Sequence, residues 1–143
     1  MFHKLCFAKQ KKEYIGDQRV QIYMIEEYVV FNSDGLKLEG ILSYNENVLN
    51  PPLILLCSPH PHLGGDMENN VIVSLGNGLA EKGYATLRFN YRGVGNSGSR
   101  FDNIADKYNY WEKVLNNDDC SDALIDAVSA LDYLMLSIDT HEI

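Results

Sequence analysis

Cysteine, positive charge and long apolar runs are all scarce in this chain of 143 residues, and each shortage removes a class of protein. The three cysteines, Cys6, Cys57 and Cys120, form no closely spaced pair, so no disulfide framework is encoded. Twelve lysines and arginines stand against twenty acids, giving a formal net charge of -8, which excludes the basic face that a nucleic-acid backbone requires. Acidity of this size serves solubility. No apolar run approaches the roughly 18 to 20 residues that cross a bilayer, so no membrane partner is expected. The N-terminus MFHKLCFAKQKKEYIG lacks the continuous apolar stretch of a signal peptide, and a cytoplasmic chain with reduced thiols is the expectation.

What remains is the composition of one soluble domain, 45% hydrophobic and 22% charged. Residues 1–26 mix Lys9, Lys11 and Lys12 with scattered aromatics and show no clean period, which reads as an irregular or weakly helical lead-in. Residues 27–143 then carry the organised part. Glu27 to Phe31 and Lys37 to Tyr44 are β-prone, with turn chemistry at Asn32-Ser33-Asp34-Gly35 between them, and predict a hairpin. Leu53-Ile54-Leu55-Leu56-Cys57 is a continuous apolar run of strand length, as in strands buried on both faces of an α/β sheet.

From Asn69 to Lys82 the spacing predicts a helix with Val71, Leu75 and Leu79 as its stripe, Asn69 or Asn70 as its N-cap and Gly83 ending it. Tyr84 to Tyr91 reads as the next strand, so strand, helix and strand make a βαβ unit. Ser99 to Asn117 reads as a polar, aromatic loop. Asp118 to Leu136 is a second helix, packing through Ala123, Ala127, Ala130, Leu131 and Leu134, with Asp118 and Asp119 at its positive end. Alternating elements call for a further strand after it.

Two loops in this order resemble the α/β-hydrolase superfamily, in its dienelactone-hydrolase-like or short-chain esterase-like branch, over about Glu27 to Ile143. Ser58-Pro59-His60-Pro61-His62-Leu63-Gly64-Gly65 is similar to a His-Pro-His-Pro-x-x-Gly-Gly signature, with Ser58 and His62 departing from it. Asn90-Tyr91-Arg92-Gly93-Val94-Gly95-Asn96-Ser97 is similar to the Asp/Asn-x-Arg-Gly-x-Gly-x-Ser segment that closes the fourth strand. The resemblance implies the N-terminal part of that fold: a hairpin followed by βαβα in a mostly parallel sheet, ending before the nucleophile strand. It implies hydrolysis of an ester, lactone or similar acyl bond through a covalent acyl-enzyme, with no metal or organic cofactor. The backbone of His62 or Leu63 would lie where the first loop supplies an oxyanion donor, and His60, Gly64, Gly65, Arg92, Gly93 and Ser97 would shape the site. Gly64 and Gly65 would let the backbone approach a substrate, and Arg92 would be structural.

The chain has no Gly-x-Ser-x-Gly elbow, so nucleophile, acid and base are all missing from it and no hydrolysis is expected of these residues alone. Gly95-Asn96-Ser97-Gly98 is the nearest string, and the resemblance assigns it to the fourth strand instead. In the family's sheet order Leu53 to Cys57 would then be an open edge, suited to self-association or to a complementing C-terminal half. A non-catalytic assembly module is therefore an alternative reading. A metal-dependent hydrolase using His60 and His62 is another, although Asp66 comes too late for a His-x-His-x-Asp-His pattern. Gly93-Val94-Gly95-Asn96-Ser97-Gly98 matches a dinucleotide fingerprint in letters, without an apolar stripe after it to make the helix that fingerprint opens. Cys57 and Cys120 read as small buried side chains, His141 as a solvated terminal residue, and Trp111 with Tyr108 and Tyr110 as loop anchors.

Overall fold

The computed structural model describes residues 6–15, 18–117 and 119–139, and for residues 6–15, 18–23 and 139 it describes the backbone alone. Asp118 and His141 lie outside the described residues. The chain runs β1 (Cys6–Ile15), β2 (Gln18–Ser33), β3 (Leu36–Asn45), β4 (Leu53–Cys57), a single 3-10 turn (Pro61–Leu63), α1 (Asn70–Glu81), β5 (Ala85–Phe89), α2 (Ile104–Asn117) and α3 (Ser121–Asp139). These strands form one sheet in the order β1-β2-β3-β5-β4.

The expected mostly parallel sheet is a mixed one. Among the described residues only β4 and β5 pair in parallel, joined through α1 as the βαβ unit requires, whereas β1 with β2, β2 with β3 and β3 with β5 pair antiparallel. The irregular lead-in expected over residues 1–26 is, where described, strand: β1 pairs along its length with β2 from Cys6↔Glu27 to Ile15↔Gln18. An outermost strand can form through main-chain pairing, and lysines are a common protection of such edges, so apolar alternation is not required of it. The proposed boundary at Glu27 falls inside β2.

The hairpin between β2 and β3 closes at Asp34 and Gly35, both at positive φ, which explains the turn-rich sequence there. The main core lies between the sheet and α3. Val29, Phe31, Leu38, Leu42, Leu87 and Phe89 meet Ala130 and Leu134, and Leu53, Leu55, Ala127, Tyr133 and Ile138 fill its margin. Phe31 packs edge-on to Phe89 and stacks on Tyr133 at a centroid distance of 5.4 Å.

On the opposite side, α1 starts at Asn69, whose side chain accepts from the Val71 N–H at 3.0 Å, and ends before Gly83 at positive φ. Its buried face is Ile72, Gly76 and Ala80, while Val71 and Leu75 of the expected stripe are exposed. Small residues win this contact because they let the helix backbone approach the sheet: Thr86 Oγ1 donates to the Gly76 carbonyl at 3.3 Å. Residues 104–117, expected within a loop, form α2 instead. Asn103 Oδ1 accepts from the Asp106 N–H and Asn103 Nδ2 reaches Asp106 Oδ2, both at 2.8 Å, so the helix start is capped reciprocally. In α3, Leu131 is exposed rather than packed.

Candidate functional site

The loop after β4 and the turn after β5 leave the same end of a parallel strand pair, outside the carboxyl ends where open α/β sheets form their clefts. The first loop is built on its own backbone. The His60 carbonyl accepts from the Leu63 N–H at 2.8 Å and the Gly65 N–H at 3.1 Å, and Gly64 takes φ +73°. A Cβ on Gly65 would stand 1.8 Å from the Pro59 carbonyl oxygen, so this glycine serves the loop's own closure rather than the approach of a substrate.

His60 is committed at both ring nitrogens. Nδ1 accepts from the His62 N–H at 3.1 Å, and Nε2 lies 2.8 Å from the Trp111 carbonyl of α2. With Nδ1 accepting, Nε2 is the nitrogen that donates, to the Trp111 carbonyl. His62 stacks on Tyr108 at 4.0 Å, and the His60 ring meets Trp111 edge-on. Tyr108 and Trp111 therefore anchor this loop from a helix rather than from a loop of their own. The far end of the loop is tied to β5: the Met67 N–H donates to Asn90 Oδ1 at 2.8 Å and the Met67 carbonyl accepts from Arg88 Nε at 2.9 Å.

Both candidate oxyanion donors are thus in use, the His62 N–H on His60 Nδ1 and the Leu63 N–H on the His60 carbonyl. An acyl oxygen could take the His62 donor only by displacing His60 Nδ1. A metal bound through His60 would have to break the same bonds, and among the described residues no group of three His, Cys, Asp or Glu side chains is gathered to hold an ion.

The second turn is braced from three directions. Arg92 is buried, with Nη2 2.8 Å and Nε 3.1 Å from the two carboxylate oxygens of Asp126, and its backbone N–H also donates to Asp126. Asp126, fully buried on α3, accepts from Ser33 Oγ at 2.7 Å as well. This pairing raises the Arg92 pKa above its ordinary value, the bond to Asp126 outweighing burial. Ser97 Oγ donates to the Asn90 carbonyl at 2.7 Å and accepts from the Glu39 N–H at 3.1 Å, which uses the hydroxyl for structure. Glu39 accepts from Asn90 Nδ2, the Asn96 N–H and the Tyr28 hydroxyl. Burial, then the bond to Glu39, pushes the Tyr28 phenol up to about 12.

Gly93 and Gly95 both take positive φ, and a Cβ on Gly95 would strike Asn90 and Glu39. The third glycine of the apparent dinucleotide fingerprint, Gly98, bonds the Lys37 carbonyl instead of opening a helix. Trp111 Nε1 donates to the Arg92 carbonyl at 3.2 Å, so α2 connects the two loops. A small cleft opens on its other side, between the Arg92–Phe101 segment and Lys107, Tyr110 and Trp111. Cys57 and Cys120, expected to be buried, are exposed, Cys57 at the end of β4 and Cys120 just before α3.

Glu39, Asn90 and Asp126 are the organising residues that a reading of single motifs passes over. Asn90 is part of the quoted segment, and Asp126 stands out only as an acid set between Ala123, Ala127 and Ala130.

Comparison with known proteins agrees with this architecture. An uncharacterized protein of Rickettsia prowazekii is 37% identical over 75 residues, 52% of this chain and 31% of the relative. The crystal structure of a protein of unknown function from Agrobacterium tumefaciens, assigned provisionally as an α/β hydrolase, superposes with a TM-score of 0.59 at 30% identity, over 78% of this chain and 44% of that one. An α/β serine hydrolase homologue from Coxiella burnetii aligns at 33% identity with a TM-score of 0.47, over 63% of this chain and 43% of the other. No family model matches the chain. The chain has an α/β-hydrolase-like fold, and it spans about a third of the Rickettsia relative and less than half of the two solved chains. Among the described residues no helix is long and apolar enough to cross a membrane.

Proposed function

We propose that this chain is the loop-bearing part of a serine-hydrolase domain of the dienelactone-hydrolase or short-chain esterase kind, working in the cytoplasm without metal or organic cofactor. The observation that carries the reading is the placing of the His60–Gly65 loop and the Arg92–Ser97 turn at one end of the β4–β5 pair within an α/β-hydrolase-like fold. In the completed domain a serine oxygen, on a residue outside these 143, attacks the acyl carbon of an ester or lactone. The alkoxide leaves with a proton, and water then releases the acid from the acyl-enzyme. His62 and Leu63 are the backbone donors nearest in position to the developing oxyanion, and His60, by taking up the His62 N–H, sets when that donor is free. His60, Gly64, Gly65, Arg92, Gly93 and Ser97 hold the shape of this end of the sheet.

These 143 residues contain no Gly-x-Ser-x-Gly elbow, so the pure chain is expected to leave a short-chain p-nitrophenyl ester intact and to take no label from a fluorophosphonate probe. Turnover above a heat-killed control that tracks with the chain would overturn the reading. A second reading, an assembly module without catalysis, is favoured by the apolar β4 strand at the sheet edge.

A further inference from the structure

His60 meets a proton differently at its two nitrogens. Its ring bonds run to backbone groups of opposite kind: Nδ1 accepts from the His62 N–H at 3.1 Å, and Nε2 lies 2.8 Å from the Trp111 carbonyl, to which it donates. A carbonyl takes an N–H from imidazole and imidazolium alike, so the second bond survives protonation and gains charge assistance. The first does not. Once Nδ1 carries a proton, two donors face each other across the length of a hydrogen bond, and the His62 N–H has to turn elsewhere.

The surrounding loop confines the effect to that one group. The His60 carbonyl accepts from the Leu63 N–H at 2.8 Å and the Gly65 N–H at 3.1 Å, and neither bond involves the imidazole. The His60 ring caps the Pro61–Leu63 turn, so the cap is what protonation removes. Trp111 is anchored independently, its Nε1 donating to the Arg92 carbonyl at 3.2 Å, and the His62 ring stays stacked on Tyr108. The N–H is released while its walls stand.

The titratable groups around His60 do not compete for it. On its own loop the His62 ring lies edge-on at 5.1 Å, and Asp66 Oδ1 is spent on the Glu68 N–H. On α2, Lys107 lines the cleft beyond Trp111, Tyr108 faces His62, and Asp106, Glu112 and Lys113 are exposed. Tyr91 packs against the Trp111 indole at 5.9 Å, and the Arg92 guanidinium is held by Asp126. Among the described residues no charged side chain bonds either nitrogen of His60, so its two backbone partners decide the outcome.

We propose that His60 is a proton-operated latch on the loop after β4: neutral, it holds the His62 N–H on Nδ1, and protonated, it stays on the Trp111 carbonyl and lets that N–H go. Histidine is the side chain that changes charge between about pH 5 and 8, so the donor is held on the alkaline side and free on the acid side. The use of the freed donor, on an acyl oxygen that gains charge, rests on the hydrolase reading. The latch itself does not.

The test is a series of two-dimensional 1H–15N spectra of the 143-residue chain between about pH 5 and 8. The His62 amide resonance is expected to move with the midpoint of the His60 ring signals. Its protection from exchange, corrected for the intrinsic rate at each pH, is expected to fall about two- to tenfold below that midpoint, the worth of one hydrogen bond, while Leu63 and Gly65 keep theirs. His62→Gln retains the backbone N–H and removes the neighbouring titration, and should show the same movement at position 62. His60→Asn, whose amide oxygen can cap the turn without titrating, should abolish it.

A fixed His62 amide in the wild-type chain, movement that His62→Gln removes, or joint loss of protection at His62, Leu63 and Gly65 would overturn the latch, the last by showing that the loop melts as a unit. Should His60→Asn not fold, the wild-type and His62→Gln series decide. Ester turnover by the isolated chain overturns the proposed function as stated and leaves the amide readout untouched, whereas a silent amide removes the latch and leaves the hydrolase reading standing.

Discussion

The turn after β5 and the flank beside β4 are made from similar stretches of chain and are finished to different degrees. At the turn, a guanidinium, two carboxylates, an amide and a hydroxyl are buried together, and Arg92, Asp126, Glu39, Asn90 and Ser97 each find a partner within the fold. At the flank, an apolar strand and an apolar helix seam end in solvent. Burying charge is costly unless it is paired, so the turn holds one geometry and tolerates little change. Exposed apolar side chains lose little on polar substitution. The difference separates residues whose polar groups the fold satisfies from apolar residues that it leaves exposed.

The sharpest break in that contrast is Asp126→Ala. It leaves the buried Arg92 guanidinium without its main counter-charge and removes the acceptor of Ser33. The loss expected is about 3–5 kcal/mol, a large share of a small domain's stability of about 5–15 kcal/mol. Urea unfolding followed by circular dichroism measures it. A loss below that of an ordinary surface change would show that the turn is braced by its backbone alone.

Next in size is Gly65→Ala, which sets a Cβ against the Pro59 carbonyl oxygen and should cost about 2–3 kcal/mol. Gly64→Ala, at φ +73° with open space around it, should cost only about 1–2 kcal/mol. The pair of midpoints distinguishes a loop that closes on itself from one that merely needs two flexible residues.

How much of this could be read beforehand follows the same division. The hairpin, the βαβ unit and both loops are legible because turn residues, apolar runs and glycines act locally: Asp34-Gly35 and Gly83 stand where the backbone turns. The buried face of α1 is not, because Gly76 and Ala80 add nothing to an apolar stripe although their smallness makes the contact. α2 hides because Ile104, Tyr108, Trp111 and Leu115 are separated by Lys, Asn and Glu, while the informative signal is the Asn103–Asp106 cap. β1 hides because pairing with β2 can make it a strand without an alternating pattern.

At the site, His60 and Arg92 are visible in their motifs, but the partners that fix them, the Trp111 carbonyl and Asp126, come from residues 51 and 34 positions away. An acid such as Asp126 reads as solvated until the fold brings an arginine to it. The use of the His62 and Leu63 donors inside the loop is likewise a product of local closure that no motif spells out.

Smaller effects sharpen the contrast further. Ser97→Ala deletes one donor and leaves the buried Glu39 N–H without its acceptor, for an expected loss of about 1–3 kcal/mol. Thermal unfolding compared with Ser97→Thr, which keeps the hydroxyl, separates the hydrogen bonds from the packing.

Leu131→Gln closes the series with the smallest effect on the isolated chain. Leu131 is as large as Leu134, but Leu134 is fully buried and Leu131 is 40% exposed. Replacing Leu134 by Ala should cost about 2–5 kcal/mol through lost burial and the cavity left behind. Leu131→Gln keeps a good helix former on a wet surface and should change stability by no more than about 0.5 kcal/mol. Unfolding of the two variants in the same buffer decides the matter. A loss at Leu131 comparable with that at Leu134 would mean that the flank is already covered in solution by another copy of the chain, and the stability would then rise with protein concentration.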